Sequence, residues 1–170
     1  MKTRKSRVFV GDFETTVYDG QEYTEVWASA CVEVGTEDVR IFNSIDEQFD
    51  FFVSLGCNLI VYYHNLKFDG AFWLDFLLTK KDFKQACYAF DPEDTTTFKW
   101  QSIKDMKDNT MQYLVSNLGA WYNVVIKVKG KIIELRDSLK LLPFSVDKIR
   151  KSCGTKHKKR TMEYSGFRYA

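Results

Sequence analysis

The run Leu59–His64, Leu-Ile-Val-Tyr-Tyr-His, constrains the fold of this chain more than any other stretch. An uninterrupted apolar segment, rather than an alternating one, marks a central strand covered on both faces of a sheet. The next residues change period. Over Lys67–Thr79 the phenylalanines Phe68, Phe72 and Phe76 recur every four positions, which predicts a helix. A buried strand feeding straight into a helix calls for an α/β layer architecture.

The surrounding sequence fits that class. Arg7–Thr15 (RVFVGDFET) opens with alternating apolar residues and reads as a strand, followed by a second over Glu25–Val34 and a short third over Val39–Asn43. Ser44 and Glu47 then make a capping box, opening a helix with Ile45, Phe49, Phe52 and Val53 on one face. Strands return at Met111–Ser116, Trp121–Val128 and Lys131–Asp137, the last two joined by the hairpin signal Lys129-Gly130. Pro143-Phe144-Ser145 introduces a short helix with Val146 and Ile149 inward. Residues 80–110, mixed in charge and without a clear period, read as an irregular excursion. The expectation is a mixed central sheet flanked by helices.

Composition narrows the function classes. A length of 170 residues suits one compact domain, and 45% hydrophobic with 28% charged residues excludes a disordered tail or a fibrous repeat. The net charge of +2 requires any nucleic-acid affinity to come from local patches, and Lys148–Arg160 concentrates seven basic residues in thirteen. The aromatic load of 16% serves a dense core and offers rings for stacking on nucleobases. Cys31, Cys57, Cys87 and Cys153 contain no Cys-x-x-Cys pair, and two histidines are too few for a zinc ribbon or finger. They read as reduced, mostly buried thiols of an intracellular, cytoplasmic protein. No apolar core follows the basic Met1–Arg7, so no signal peptide is expected, and no apolar run approaches the roughly 20 residues that span a bilayer.

Chemistry concentrates at two strand ends. Asp12 and Glu14 stand two apart at the end of the first strand and so project to one face, while Phe13 turns inward. Two carboxylates persist together when one takes a proton or when a hard cation neutralises both. His64-Asn65-Leu66-Lys67-Phe68-Asp69-Gly70 follows the buried strand and opens the next helix, bringing a third acid, Asp69, with Gly70 allowing close approach of a backbone. Strand-to-helix junctions of this kind are where open α/β sheets place their sites.

Asp12-Phe13-Glu14-Thr15 followed by His64-Asn65-Leu66-Lys67-Phe68-Asp69-Gly70 resembles the first two exonuclease motifs of family B DNA polymerases, in the protein-primed branch of bacteriophages, adenoviruses and linear plasmids. Trp121-Tyr122, Asp137-Ser138-Leu139-Lys140 and Leu142-Pro143-Phe144 resemble the same branch, leaving residues 80–110 as an insertion. The resemblance implies a ribonuclease H-like fold with a two-ion 3′–5′ proofreading exonuclease, using Mg²⁺ or Mn²⁺. It implies Asp12, Glu14 and Asp69 as catalytic metal ligands and Lys159 near the scissile phosphate. It implies Thr15, Tyr62, His64, Asn65, Phe68, Phe72, Ser138 and Leu139 as contacts to a single-stranded DNA 3′ end. The implied partners are that DNA end, the remainder of the polymerase and a terminal priming protein.

One family feature is missing. The third exonuclease motif, Tyr-x-x-x-Asp, is absent: Tyr164 has Arg168 at that spacing. The expectation is a single exonuclease domain over residues 1–170, an N-terminal piece from a truncated or split reading frame, weak or inactive as a nuclease alone. A missing helix there would leave apolar sheet surface exposed. The competing expectation is a nuclease-derived module that binds single-stranded DNA or a replication partner without cutting it.

Overall fold

In the computed structural model, which describes residues 6–88 and 99–154, alternation along the sequence builds the sheet directly. In β1 (Arg7–Thr15), Phe9 and Phe13 turn to one face and are buried, while Val10 and Asp12 turn to the other and are exposed. β2 (Val26–Glu33) runs antiparallel beside β1, and β3 (Val39–Phe42) antiparallel beside β2. The chain then crosses through α1 (Ile45–Ser54) to β4 (Leu59–Tyr63), which lies parallel to β1 on its other side. α2 (Leu66–Asp75) follows, widening into a π-helical turn at Phe76–Lys80.

A second group of strands extends the sheet. β5 (Lys84–Gln85), β6 (Thr110–Val115), β7 (Trp121–Val128) and β8 (Lys131–Asp137) complete the spatial order β3-β2-β1-β4-β8-β7-β6-β5. β8 is parallel to β4; β7 is antiparallel to both β8 and β6, and β5 is parallel to β6. The mixed α/β sheet expected from the sequence is the sheet observed. Lys129 and Gly130, which link β7 to β8, both carry positive φ (46° and 69°), the conformation of a two-residue hairpin turn, and Asp108 Oδ1 accepts from the Gly130 amide at 2.8 Å. After β8 come a 3₁₀ turn at Ser138–Lys140 and α3 (Val146–Cys153).

The core lies between one sheet face and the pair α1–α2. Leu59, Val61 and Tyr63 meet Phe49, Phe52, Trp73 and Leu77 there, and Phe9 and Phe13 pack edge-on or tilted against the same rings. The α1 cap forms as expected: Ser44 Oγ accepts from the Glu47 amide, and the Glu47 carboxylate accepts from Asn43 N. Gln48 is fully buried in that helix. Its Nε2 donates to the Ala30 carbonyl and its Oε1 accepts from the Tyr63 hydroxyl, both at 3.0 Å, so the polar amide is satisfied inside the core.

Three expectations need correction. β4 is buried on one face only: Ile60 and Tyr62 on its other face are half-buried, because both crossover helices pack on a single side. α3 presents no buried residue and its Val146 is 48% exposed. Of the four free cysteines only Cys31 is buried, with Cys153 exposed and the other two between. The buried face of α2 is Leu66, Asp69, Gly70 and Trp73; along the phenylalanine stripe Phe68 is 45% exposed, Phe72 packs partly buried against the core and Phe76 is buried in it. The stretch 80–110 is also more ordered than its composition suggests: outside residues 89–98 it supplies β5, a bridge between Cys87 and Trp100, and the Ala86–Met106–Val125 packing behind the extension strands.

Candidate functional site

β1, β4 and β8 run in the same direction, and their mutual pairing stops at one row, with Gly11, Tyr63 and Asp137 side by side in register. The carboxyl ends of parallel strands are the usual place for a ligand in an open sheet. β1 continues past this row through Asp12-Phe13-Glu14-Thr15, paired there with β2, and its register slips between Glu14 and Thr15. A bulge at that point re-aims the side chains beyond it.

Asp12 and Asp69 come into electrostatic reach of one another at this edge. Asp12 is exposed and Glu14 half-exposed on one face of β1. Asp69 arrives from the first turn of α2 and is only 3% exposed. Its carboxyl is pushed up to about 7, first by burial and then by the negative charge of Asp12, with a further push from Asp137; backbone N–H groups of Asp69 itself and Phe13 pull the other way. Burial first, then the charges of Asp69 and Asp12, also keep the Tyr63 phenol protonated well above its ordinary range. Gly70 matters for packing: a Cβ there would come within 2.9 Å of the Trp121 ring, so it is the β7 indole, not a backbone, that approaches the helix.

The segments expected to touch DNA are stitched together just outside the row. His64 lies between Ser138 Oγ (Nδ1, 3.1 Å) and the Phe144 carbonyl (Nε2, 2.8 Å), and Ser138 donates to the Tyr63 carbonyl at 3.2 Å. Asn65, at the head of α2 with φ 75°, donates its backbone N–H to Asp137 Oδ1 at 3.2 Å, and Leu139 N donates to the same oxygen at 2.9 Å. The Phe68 and Phe72 rings meet edge-on at 5.2 Å. Tyr62 stands on the sheet face opposite α2, and Thr15 at the β1 bulge. None of these DNA-contact candidates is buried. Lys159 lies outside the described residues.

The donor set suits a hard divalent cation, since Asp12, Glu14 and Asp69 offer carboxylate oxygens and the negative charges of Asp12 and Asp137 already act on Asp69. Among the described residues, however, no group of three or more His, Cys, Asp or Glu side chains is set closely enough to hold a metal ion. Asp12 and Asp69 are brought into electrostatic contact; the three-acid cluster is not assembled. Asp137 is the residue that sequence reasoning passed over. Its signal was present, an Asp directly before a Ser-Leu-Lys turn, where a carboxylate caps the following backbone amides.

No protein-family model matches the chain. Individual relatives do. The DNA polymerase of Bacillus phage M2 is 35% identical over 151 residues, and that of Bacillus phage phi29 is 34% identical over 157, covering 85% and 89% of this chain. Phi29 DNA polymerase complexed with single-stranded DNA superposes with a TM-score of 0.73 at 30% identity over 94% of this chain. The chain is a homologue of the N-terminal region of phage DNA polymerases. It spans 23% and 24% of the length of the M2 and phi29 polymerases. The phage polymerase in complex with primer-template DNA and incoming nucleotide superposes equally well, with a TM-score of 0.75 over 98% of this chain and 26% of its own. Among the described residues no helix is long and apolar enough to cross a membrane.

Proposed function

We propose that this chain is the 3′–5′ exonuclease part of a protein-primed phage-type DNA polymerase, acting on the 3′ end of single-stranded DNA during replication. The observation that carries this reading is Asp69: a buried carboxylate held beside the charges of Asp12 and Asp137 at the shared ends of parallel strands. Fold stability alone disfavours such a cluster, and a site for cations beside a phosphate accounts for it. The sequence motifs support it, as does the likeness to a polymerase whose structure holds single-stranded DNA.

In this reading Asp12, Glu14 and Asp69 hold Mg²⁺ or Mn²⁺, and such ions activate water and stabilise the leaving oxygen of a phosphodiester. The chain's own groups do the rest. Phe68 offers an exposed ring for stacking on an unpaired base, and the Asn65 and Ser138 polar groups border the same opening. Lys140 Nζ lies 5.4 Å from the Tyr122 ring and Lys148 Nζ 4.5 Å from Phe144, which places cations along the segment that leads away from the site.

The test is digestion of a 5′-labelled oligonucleotide in Mn²⁺. Slow release of mononucleotides from the 3′ end, abolished in Asp12→Ala, is the expected result. Endonucleolytic cutting, or digestion unchanged in Asp12→Ala, would overturn it. A second reading has one observation in its favour, the unassembled three-acid cluster: a module that binds the DNA end without hydrolysis. Metal-independent, salt-sensitive binding with an intact labelled strand would identify that behaviour.

A further inference from the structure

We infer that Asp137 is a positioning residue for the 3′-terminal nucleotide, its buried carboxylate tying the head of α2 to the Ser138–Lys140 turn so that both sides of the strand-binding opening keep one geometry. The inference rests on the DNA-end reading above. Its basis is connectivity. A carboxylate that served only to cap the turn would need one bond, to Leu139 N, which it makes at 2.9 Å. The same oxygen also accepts from Asn65 N, contributed by a loop 72 residues earlier in the chain. Asn65 holds a left-handed backbone (φ 75°), a conformation that a non-glycine residue keeps only where surrounding contacts fix it, and the bond to Asp137 is one such contact.

Position in the sheet explains why this residue can reach both sides. Asp137 closes β8 directly opposite Tyr63, the last residue of β4, and the loops leaving these two strands are His64–Asn65 and Ser138–Lys140. Ser138 donating to the Tyr63 carbonyl, and His64 meeting Ser138 Oγ, cross the same gap. Those contacts involve side chains that would themselves face the nucleotide. Asp137, 6% exposed, lies behind them and is free to act through them. What the position requires is an acceptor at Oδ1, not a charge, since both partners are neutral backbone amides. An amide side chain therefore fulfils the role, and a carboxylate displaced by one methylene does not.

The experiment measures binding of a 5′-fluorescein oligothymidylate with a free 3′-OH, by anisotropy in EDTA, to the whole chain and to Asp137→Ala, Asp137→Glu and Asp137→Asn, each checked for a cooperative thermal transition. Asp137→Ala and Asp137→Glu should weaken binding about tenfold or more, while Asp137→Asn stays within about threefold of the parent. Should Asp137→Ala not fold, the contrast between Glu and Asn carries the result. Equal binding by all folded variants, or an Asn variant as weak as Glu, overturns the positioning role while leaving the DNA-end reading intact. An unmutated chain that does not bind the oligonucleotide overturns that reading, and the inference with it.

Discussion

Asp69 shows how much a single position can set against the fold. Its carboxyl has an ordinary value of 3.8 and is raised to about 7 in the folded chain, so the native state holds the proton more tightly than the unfolded state does. The stabilising contribution of the protonated form is full below about 4 and is lost as pH climbs through about 7. In chelator, Asp69→Asn should therefore raise the melting temperature at pH 8 by several degrees, with the gain shrinking towards pH 5; thermal scans across that range check it. A flat difference with pH would mean that the carboxyl is solvated. The Asp12 and Glu14 pair was legible because strand period two puts such residues on one face. Gln48 was not, and of Asp137 only the local turn cap was, since partners that come from distant segments are not revealed by sequence spacing.

Elements were legible where periodicity speaks and opaque where neighbours decide. β7 and β8 fall where alternation and the Lys129-Gly130 signal put them. The partial exposure of the second face of β4, the turn of α2 towards Trp73 and the exposure of α3 depend on which side the helices pack, which no local pattern encodes. The π-helical turn at Phe76–Lys80 likewise answers to tertiary contacts: Lys81 just beyond it pairs with Asp46 of α1 and lies over the Phe49 and Phe76 rings. The β7–β8 turn gives a prediction at this scale. Lys129 holds a left-handed backbone that costs a side chain with Cβ energy, and Asn tolerates it better. Lys129→Asn should stabilise the protein by about 0.5 kcal/mol, read from urea unfolding midpoints at constant slope.

At the scale of the molecule, the β4–β8 ladder joins the two groups of strands, and one indole adds a second tie on the helix side. Trp121 stacks on Tyr113 within the extension strands, at 6.3 Å, and presses against α2 at Gly70. Trp121→Ala should cost about 2–3 kcal/mol, and both far-UV dichroism and intrinsic fluorescence should shift to lower denaturant together. Separate transitions would show that the extension unfolds as its own unit. The class of fold was readable from the strand and helix order, whereas this junction was not, because Gly70 and Trp121 announce nothing to each other along the sequence. An effort to pare the chain down to the five strands β3-β2-β1-β4-β8 would thus fail for a mechanical reason. With the indole gone, the helix that carries Asp69 loses its backstop, and a buried carboxyl is left on a loosened mount.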